Sequence, residues 1–553
     1  MKEIVKIFAL GGLDENGKNL YVVDVNDDLY IFDAGIRYPE ESLLGIDIIL
    51  PGINFLFENR RRIKGFFLTH GHDENMGAIP FLCEEIDDVP IYATKTTIAF
   101  VKDAANRYKK VIKNSQFVEI IPGNDFVVAN RNIYTYEVTH GSGDAVAYAL
   151  ETNYGLVVYS GEYIVEYAGE YPYRFDFRKL IELSKKNVLC LLSESYNASY
   201  KGHVSPNYKL LNKILQISDD VKGRMIVSLY GQNMYGLKEV LTCAYRTHRK
   251  IYLYGEYSNY ILDLLKSLNY GDQIKKLNFT NNIFEKNCLI LVCELGGKVF
   301  DLLSKISEID NGENELKLNE DDAFIIASPA HTGTEVSFAK ILDKLHRTGA
   351  MVYNISNKEV LSMHAGSEDL KLLLSVLKPK YYMPVRGYYM RLIDNAKLAL
   401  ELNYNHNNIL VYDNGMVANF ENGEFVPSFE NVECNEIMVD GIGIGDVGNV
   451  VINDRRKLSH DGVMIVGISF SMQTRQIVAG PDVQMRGLIF LKDADYIIKI
   501  VGEAFEKIVY DFVQTPGMVD FNELRMICKE QITKLVKAEL GKEPMVLPVI
   551  ISV

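Results

Sequence analysis

Through residues 1 to about 205 the chain is a succession of short β-branched and aromatic runs broken by turn residues, with helical stretches entering later. Leu20-Tyr21-Val22-Val23-Asp24-Val25 and Leu29-Tyr30-Ile31-Phe32 flank Asn26-Asp27-Asp28, a hairpin signal that delivers Asp33 to the end of a buried strand. Phe66-Phe67-Leu68 reads as a second buried strand, ending at Thr69-His70-Gly71-His72, and Gly77-Ala78-Ile79-Pro80 as a helix start behind it. The same strand-then-polar logic recurs at Tyr136 to His140, at Leu156 to Glu162 and at Leu191 to Asn197, where Glu194 closes the apolar run. From about Tyr208 to Met351 the pattern becomes strand and helix alternation: Met225 to Leu229, Ile251 to Tyr254, Leu289 to Cys293 and Phe324 to Ala327 predict a parallel sheet inserted into the first fold. A Gly-rich linker from about Asn422 leads to strands Gly462 to Phe470 and Arg475 to Val478, helices Ile497 to Val513 and Phe521 to Leu540, and a strand Val546 to Ile551.

At 553 residues the chain exceeds what one core supports. The expected division is a first domain over 1–207, an insertion over 208–352, the return of the first domain over 353–421, a linker over 422–456 and a small α/β domain over 457–553.

The candidate chemistry sits where the strands end. Two imidazoles two residues apart, His70 and His72, can converge from one loop on a divalent ion, and Glu74 adds a carboxylate two positions later. A single strand-end histidine is usually an ordinary hydrogen-bonded residue. His140 and Glu162 repeat the arrangement on strands of their own, and that pattern points to a metal site. Asn75 offers only a neutral amide oxygen, a poor ligand for zinc-like ions. Asp33, taken alone, reads as a strand-end turn cap. A net charge of -14 excludes a chain coated with phosphate-binding basic residues. Seven cysteines without CxxC spacing read as reduced core thiols. The 34 tyrosines could offer stacking faces for bases, although most are expected in the core or its rim. No apolar run of spanning length and no signal peptide stands out, so no membrane partner and a cytoplasmic setting are expected.

The loop from His70 resembles the His-x-His-x-Asp-His loop of the metallo-β-lactamase superfamily, with Glu74 and Asn75 at the Asp-His positions. Leu191 to Asn197 resembles the acidic motif that opens the insertion of the β-CASP nucleases. Ser362-Met363-His364-Ala365-Gly366 resembles the Ser-Gly-His-Gly/Ala-Ser segment of ribonuclease J, with Met363 for a Gly and Gly366 for a Ser. Lys378 to Arg386-Gly387 matches that family's Pro-x-His-Gly strand end, except that Arg386 replaces the histidine. With Gly11 to Asn19, Val439 to Asn449 and Pro481 to Leu488 in the same order, the chain is identified as a member of the ribonuclease J family over essentially its whole length.

That resemblance implies an α/β fold: a metallo-β-lactamase αββα sandwich, an inserted parallel-sheet β-CASP domain and a C-terminal α/β domain that supports oligomers. It implies a first metal site of His70, His72, His140 and Glu162, with Glu162 where the superfamily has the Asp that bridges two metals. Asp33 would orient the metal loop, with Glu194 beside it as a further supporting carboxylate. Glu74, Glu162 and His364 would be catalytic, and Ser362, His364 and Gly366 would contact RNA phosphate. Arg386 has no lone pair to give and cannot be a ligand, so the second site keeps only Glu74, weakly, and one zinc or manganese is expected rather than two. Arg386 is expected to pair with Glu74 and Glu162. These substitutions resemble the less active of two paralogues in bacteria that carry a pair. The implied function is a metal-dependent ribonuclease of low activity, 5′-to-3′ exonuclease and in part endonuclease, in ribosomal RNA maturation and messenger decay. The alternative is a largely non-catalytic RNA-binding subunit of an active paralogue, in homo- or hetero-oligomers. Hydrolysis of a small lactam or thioester is disfavoured by the insertion and by His364.

Overall fold

The computed structural model describes residues 2–39, 43–204, 210–268, 274–308, 316–330, 334–355, 363–441, 443–444, 449–488, 494–515 and 519–553. The chain forms two compact units, one of residues 1–38 and 48–437 and one of residues 39–47 and 438–553.

The first unit is built on two sheets packed face to face. One has eight strands, with Ile4–Gly11, Leu20–Val25, Asp28–Phe32 and Ile63–Phe67 at its middle; the other has six, among them Arg131–Glu137, Val146–Thr152, Gly155–Tyr159, Val188–Glu194 and Tyr381–Val385. Leu20–Val25 is buried at every position, the pattern of a strand covered on both faces. Alternate residues Tyr21, Val23 and Val25 point to the inter-sheet core, where they meet Tyr148, Leu150 and Val157 from the second sheet. The outer face of the second sheet is covered by helices Phe177–Ser184, Ser367–Leu377 and Tyr389–Glu401, through Leu180, Leu373, Leu377 and Leu398 on Tyr136, Val158 and Tyr382. On the other sheet, helix Lys95–Arg107 lies against strand Phe117–Glu119. This is the expected αββα sandwich.

What positions the site is parallel register. Phe32 lies beside Phe67 and Glu194 beside Val385, and Tyr159 pairs with Leu192. Strands that run together stop together, so their carboxyl ends bring the residues that follow to one edge of the sandwich.

The insertion forms a five-stranded parallel sheet in the order Lys250–Tyr254, Cys288–Glu294, Met225–Tyr230, Ala323–Ile326, Met351–Asn354. Its entry is pinned by Arg224, buried and bidentate to Asp322 at 2.9 and 2.5 Å, with further bonds to the carbonyls of Ile283 and Lys317.

In the stretch expected as linker the structure has regular elements. Asn422-Gly423, both at positive φ, make a tight turn that lets Glu424–Val426 pair back on Ala418–Glu421, and the latter pairs with Ile4–Gly11. Helix Asn449–Asp461 follows. The second unit carries a three-stranded sheet, Ile477–Arg486, Val463–Phe470 and Met545–Ser552, under helices Ala494–Gln514 and Phe521–Leu540. Val501, Phe505 and Val509 make one helical stripe and Leu524, Cys528, Ile532 and Val536 the other, over alternate strand residues Met464, Val466, Ile468 and Phe470. Strand Ile477–Arg486 is longer than expected, passing through Gly480-Pro481; it is an edge strand, where proline's missing N–H leaves no ladder bond broken. Among the described residues no helix is long and apolar enough to cross a membrane.

Replacing Asp322 with Ala would leave the Arg224 guanidinium buried without its carboxylate. We expect a loss of about 3–5 kcal/mol, read as a lowered urea midpoint for the first unit, because an unpaired buried charge is costly.

Candidate metal centre

The loop that carries His70 and His72 is held by backbone bonds from Asn19 and from the segment after Asp33. Asn19 N donates to Glu74 O (3.0 Å), Ala34 N to Asn75 O (2.7 Å) and Ile36 N to Asp73 O (2.9 Å). Gly35 makes this possible: a Cβ there would lie 1.6 Å from the Glu74 carbonyl oxygen. Asp33, fully buried, gathers the loop from within. It accepts from Thr69 N (2.8 Å), Thr69 Oγ1, Tyr159 OH (2.8 Å) and Asn75 Nδ2 (2.8 Å). Burial pushes its carboxyl up to about 7, against the pull of these donors.

Asp33 thereby sets a tautomer. Thr69 Oγ1 gives its hydrogen to Asp33 and accepts from His70 Nδ1 at 2.9 Å, which leaves the lone pair of His70 on Nε2. His140 is fixed in the same way, donating from Nδ1 to the Met363 carbonyl at 2.8 Å. His70 Nε2 and His140 Nε2 each lie 3.1 Å from His72 Nδ1. Glu162 Oε2 lies 3.8 Å from both Nε2 atoms, and the four ligand atoms all fall within 4.8 Å of one another. Neutral imidazoles turned lone pair to lone pair repel unless an ion lies between them, and nitrogens about 2.0–2.1 Å from a common tetrahedral ion would be separated by roughly 3.3 Å. The donor set therefore fits a divalent ion. Burial, followed by the neighbouring imidazoles, holds His70 and His140 well below the ordinary histidine range.

The other side of Glu162 is occupied differently. Its Oε1 accepts from Arg386 Nε at 2.7 Å and from Asn19 Nδ2 at 3.3 Å. Arg386, only 5% exposed, also donates from Nη1 to Asn16 Oδ1 (2.8 Å) and lies 4.5 Å above the Tyr196 ring. Burial alone would push Glu162 up; the Arg386 guanidinium, with His364, His70 and His140, brings it well below the usual carboxylate range. Burial works against the charge of Arg386 too, and Glu162 and Glu194 more than restore it.

The remaining predicted residues are distributed around this core. His364 donates from Nδ1 to Glu194 Oε2 (2.8 Å) and lies 3.5 Å from Glu162 Oε2. Glu194 also accepts from Tyr163 N and Ala365 N. Gly366 begins helix Ser367–Leu377 and donates to Asp369 Oδ2 (2.9 Å). Ser362 lies outside the described residues. Asn75 is engaged by Asp33 and Asn19. The half-buried Glu74 makes no ion pair or side-chain hydrogen bond among the described residues; the expected pairing of Arg386 with both carboxylates reduces to Glu162 in contact, with Glu74 acting on it only through space. Sequence reasoning overlooked Asn16, Asn19, Thr69, Tyr159 and Tyr196 as site residues. The first two lie in the Gly11 to Asn19 segment, whose polar residues around its glycines were the available signal.

The metallo-beta-lactamase superfamily profile matches residues 13–162, and that of the ribonuclease J C-terminal domain matches residues 450–553. Ribonuclease J 2 of Staphylococcus epidermidis is 32% identical over 550 residues, covering 99% of this chain and 98% of that protein. Ribonuclease J 2 of Staphylococcus aureus MRSA252 is 31% identical over 552 residues, with the same coverage of 99% and 98%. A crystal structure of a protein of unknown function from Enterococcus faecalis V583 superposes with a TM-score of 0.52 at 13% identity, over 75% of this chain and 100% of that one, a likeness of fold.

Three substitutions test the geometry. Gly35→Ala meets backbone that cannot swing aside, so bound metal counted by atomic spectroscopy should fall far below the parent's. Glu162→Gln should cost about 3–5 kcal/mol in urea unfolding by stranding Arg386, and adding Arg386→Met should recover much of that loss. A double variant no more stable than the single one would mean that the pair is not coupled.

Proposed function

The chain belongs to the ribonuclease J family, and on that premise we propose that it hydrolyses RNA slowly around one divalent ion, zinc or manganese, held by His70, His72, His140 and Glu162. The observation that carries this reading is the 2.7 Å contact of Arg386 Nε with Glu162 Oε1, a permanent cation at the position where the family motif has a histidine. The ion, when bound, supplies Lewis acidity toward a phosphodiester and its attacking water. The chain's own groups do the rest. Asp33 and Thr69 hold His70 in its ligating tautomer, and Met363 does so for His140. Glu194 holds Nδ1–H of His364, which frees Nε2 for an RNA phosphate. Arg386 offers charge to a phosphate oxygen, as a second metal would, but it cannot lower the pKa of a water. Low activity follows from that difference.

The substrates proposed are single-stranded RNAs attacked from the 5′ end, in ribosomal RNA maturation and messenger decay in the cytoplasm. The same Arg386 contact favours a second reading, in which the chain acts chiefly as an RNA-binding subunit that stabilises an active paralogue, with the C-terminal α/β unit as the proposed oligomer interface.

The test is single-turnover cleavage of 5′-monophosphorylated RNA with manganese titrated and bound metal counted, against a His70→Ala, His72→Ala control. Cleavage that rises with manganese and vanishes in the control supports the nuclease; no cleavage above the control supports the subunit. An Arg386→His, Asn75→His variant should gain bound metal and, on the order of one preorganised charge-stabilising contact, about a hundredfold in rate. A variant that gains metal without rate would show that the second position is not what limits the reaction.

A further inference from the structure

Beyond the metal cluster, the segments that follow Glu162, Glu194 and His364 come together again at the surface. Glu162 leads to Tyr167, Glu194 to Tyr200 and His203, and His364 to Gly366. They are tied beneath by apolar contact among Ile164, Val204 and Met363. The last two are tied above by one carboxylate: Asp369, fully buried, accepts from His203 Nδ1 (2.7 Å), Val204 N (2.9 Å) and Gly366 N (2.9 Å). Gly366 has no room for a side chain, because a Cβ would lie 2.4 Å from the Gly202 carbonyl oxygen.

What this assembly presents outward is unusual for an acidic protein. Tyr167 is 64% exposed and stacked on Phe177, with centroids 5.4 Å apart and planes 9° from parallel. His203, its side chain 43% exposed, stands edge-on to Tyr167 at 6.4 Å, and Tyr200 is 39% exposed. Because Nδ1 of His203 is committed to Asp369, its Nε2 is the nitrogen left for a ligand. Lys201 is exposed between Tyr200 and His203, and the nearby Glu368 is engaged by Lys371 at 3.0 Å. Exposed, braced aromatic faces interleaved with an imidazole and an ammonium suit one class of ligand, a single strand of nucleic acid whose bases stack and whose phosphates meet the ammonium and the ring nitrogen.

We propose that Tyr167, Tyr200 and His203 form a stacking strip for the part of a single-stranded RNA that lies outside the metal centre, anchored to the His364 loop by Asp369. This rests on the RNA reading above and adds to it where the rest of the strand runs. The strip is built rather than accidental: a lone exposed tyrosine needs no Phe177 behind it, and an exposed histidine needs no fully buried carboxylate.

The test is fluorescence anisotropy with the metal-loaded full-length protein, using a long oligouridylate and a uridine dinucleotide with phosphorothioate linkages as probes, so that turnover does not enter. Tyr167→Ala, Tyr200→Ala and His203→Ala should each weaken the long oligomer by about tenfold, the size of one lost base stack or phosphate contact, and leave the dinucleotide unchanged. Tyr167→Phe should retain binding, since a ring suffices for stacking; a purely structural role of the hydroxyl would not be rescued. If the parent binds the long oligomer and the three alanine variants bind it equally well, the strip is wrong and the RNA reading stands. If the parent binds neither probe, the RNA reading itself fails and the strip with it.

Discussion

The two oxygens of one buried carboxylate divide this site. Glu162 turns Oε2 toward His70 and His140 and Oε1 toward Arg386. A buried carboxylate must be paired, and here its partners are of two kinds: ring nitrogens that can share an ion with it and a guanidinium that cannot. Much of the surrounding structure serves that division. Asn16 and Tyr196 hold the guanidinium in place, Asn19 bridges Glu162 and Asn75, and Asp33 reaches the His70 imidazole through Thr69.

The architecture behind this is a matter of where strands stop. Parallel register places Asp33 near the His70 loop and Arg386 opposite the end of the Glu194 strand, whose next residue, Ser195, donates its N–H to the Arg386 carbonyl. Both Asp33 and Arg386 take positive φ, 57° in each case, as the chain turns out of its strand. Residues in that region carry backbone strain that the surrounding packing must offset, and such strain concentrates at functional positions. The close approach at Gly35 belongs to the same pattern, with one backbone seated on another so that a loop of ligands has a rigid floor.

A good part of this was open to reading in the sequence. Strands ending in His70, His140, Glu162 and Glu194 were legible because a buried run and a polar terminus leave a periodic trace. The inserted parallel sheet and the helix-covered C-terminal sheet were legible for the same reason. The tight turn at Asn422-Gly423 reads in sequence as linker, because glycine marks a turn and a flexible stretch alike. Asn16, Asn19 and Tyr196 stayed hidden because a short polar or aromatic residue in a loop has no period. Its role exists only through a partner far away in the chain, as with Asn16 and Arg386, 370 positions apart.

By itself the sequence determined the chemistry available: three imidazoles, a set of carboxylates, and at position 386 a group with charge and no lone pair. Only the tertiary structure decided how these are shared. It put Glu162, and not Glu74, in contact with Arg386; it turned Asn75 toward Asp33; and it joined His203 to Asp369 across 166 residues. The reason is one of range. A side chain's acidity, charge and donor inventory are local properties carried by its atoms, whereas a contact near 3 Å depends on the registry of strands and helices packed from distant parts of the chain.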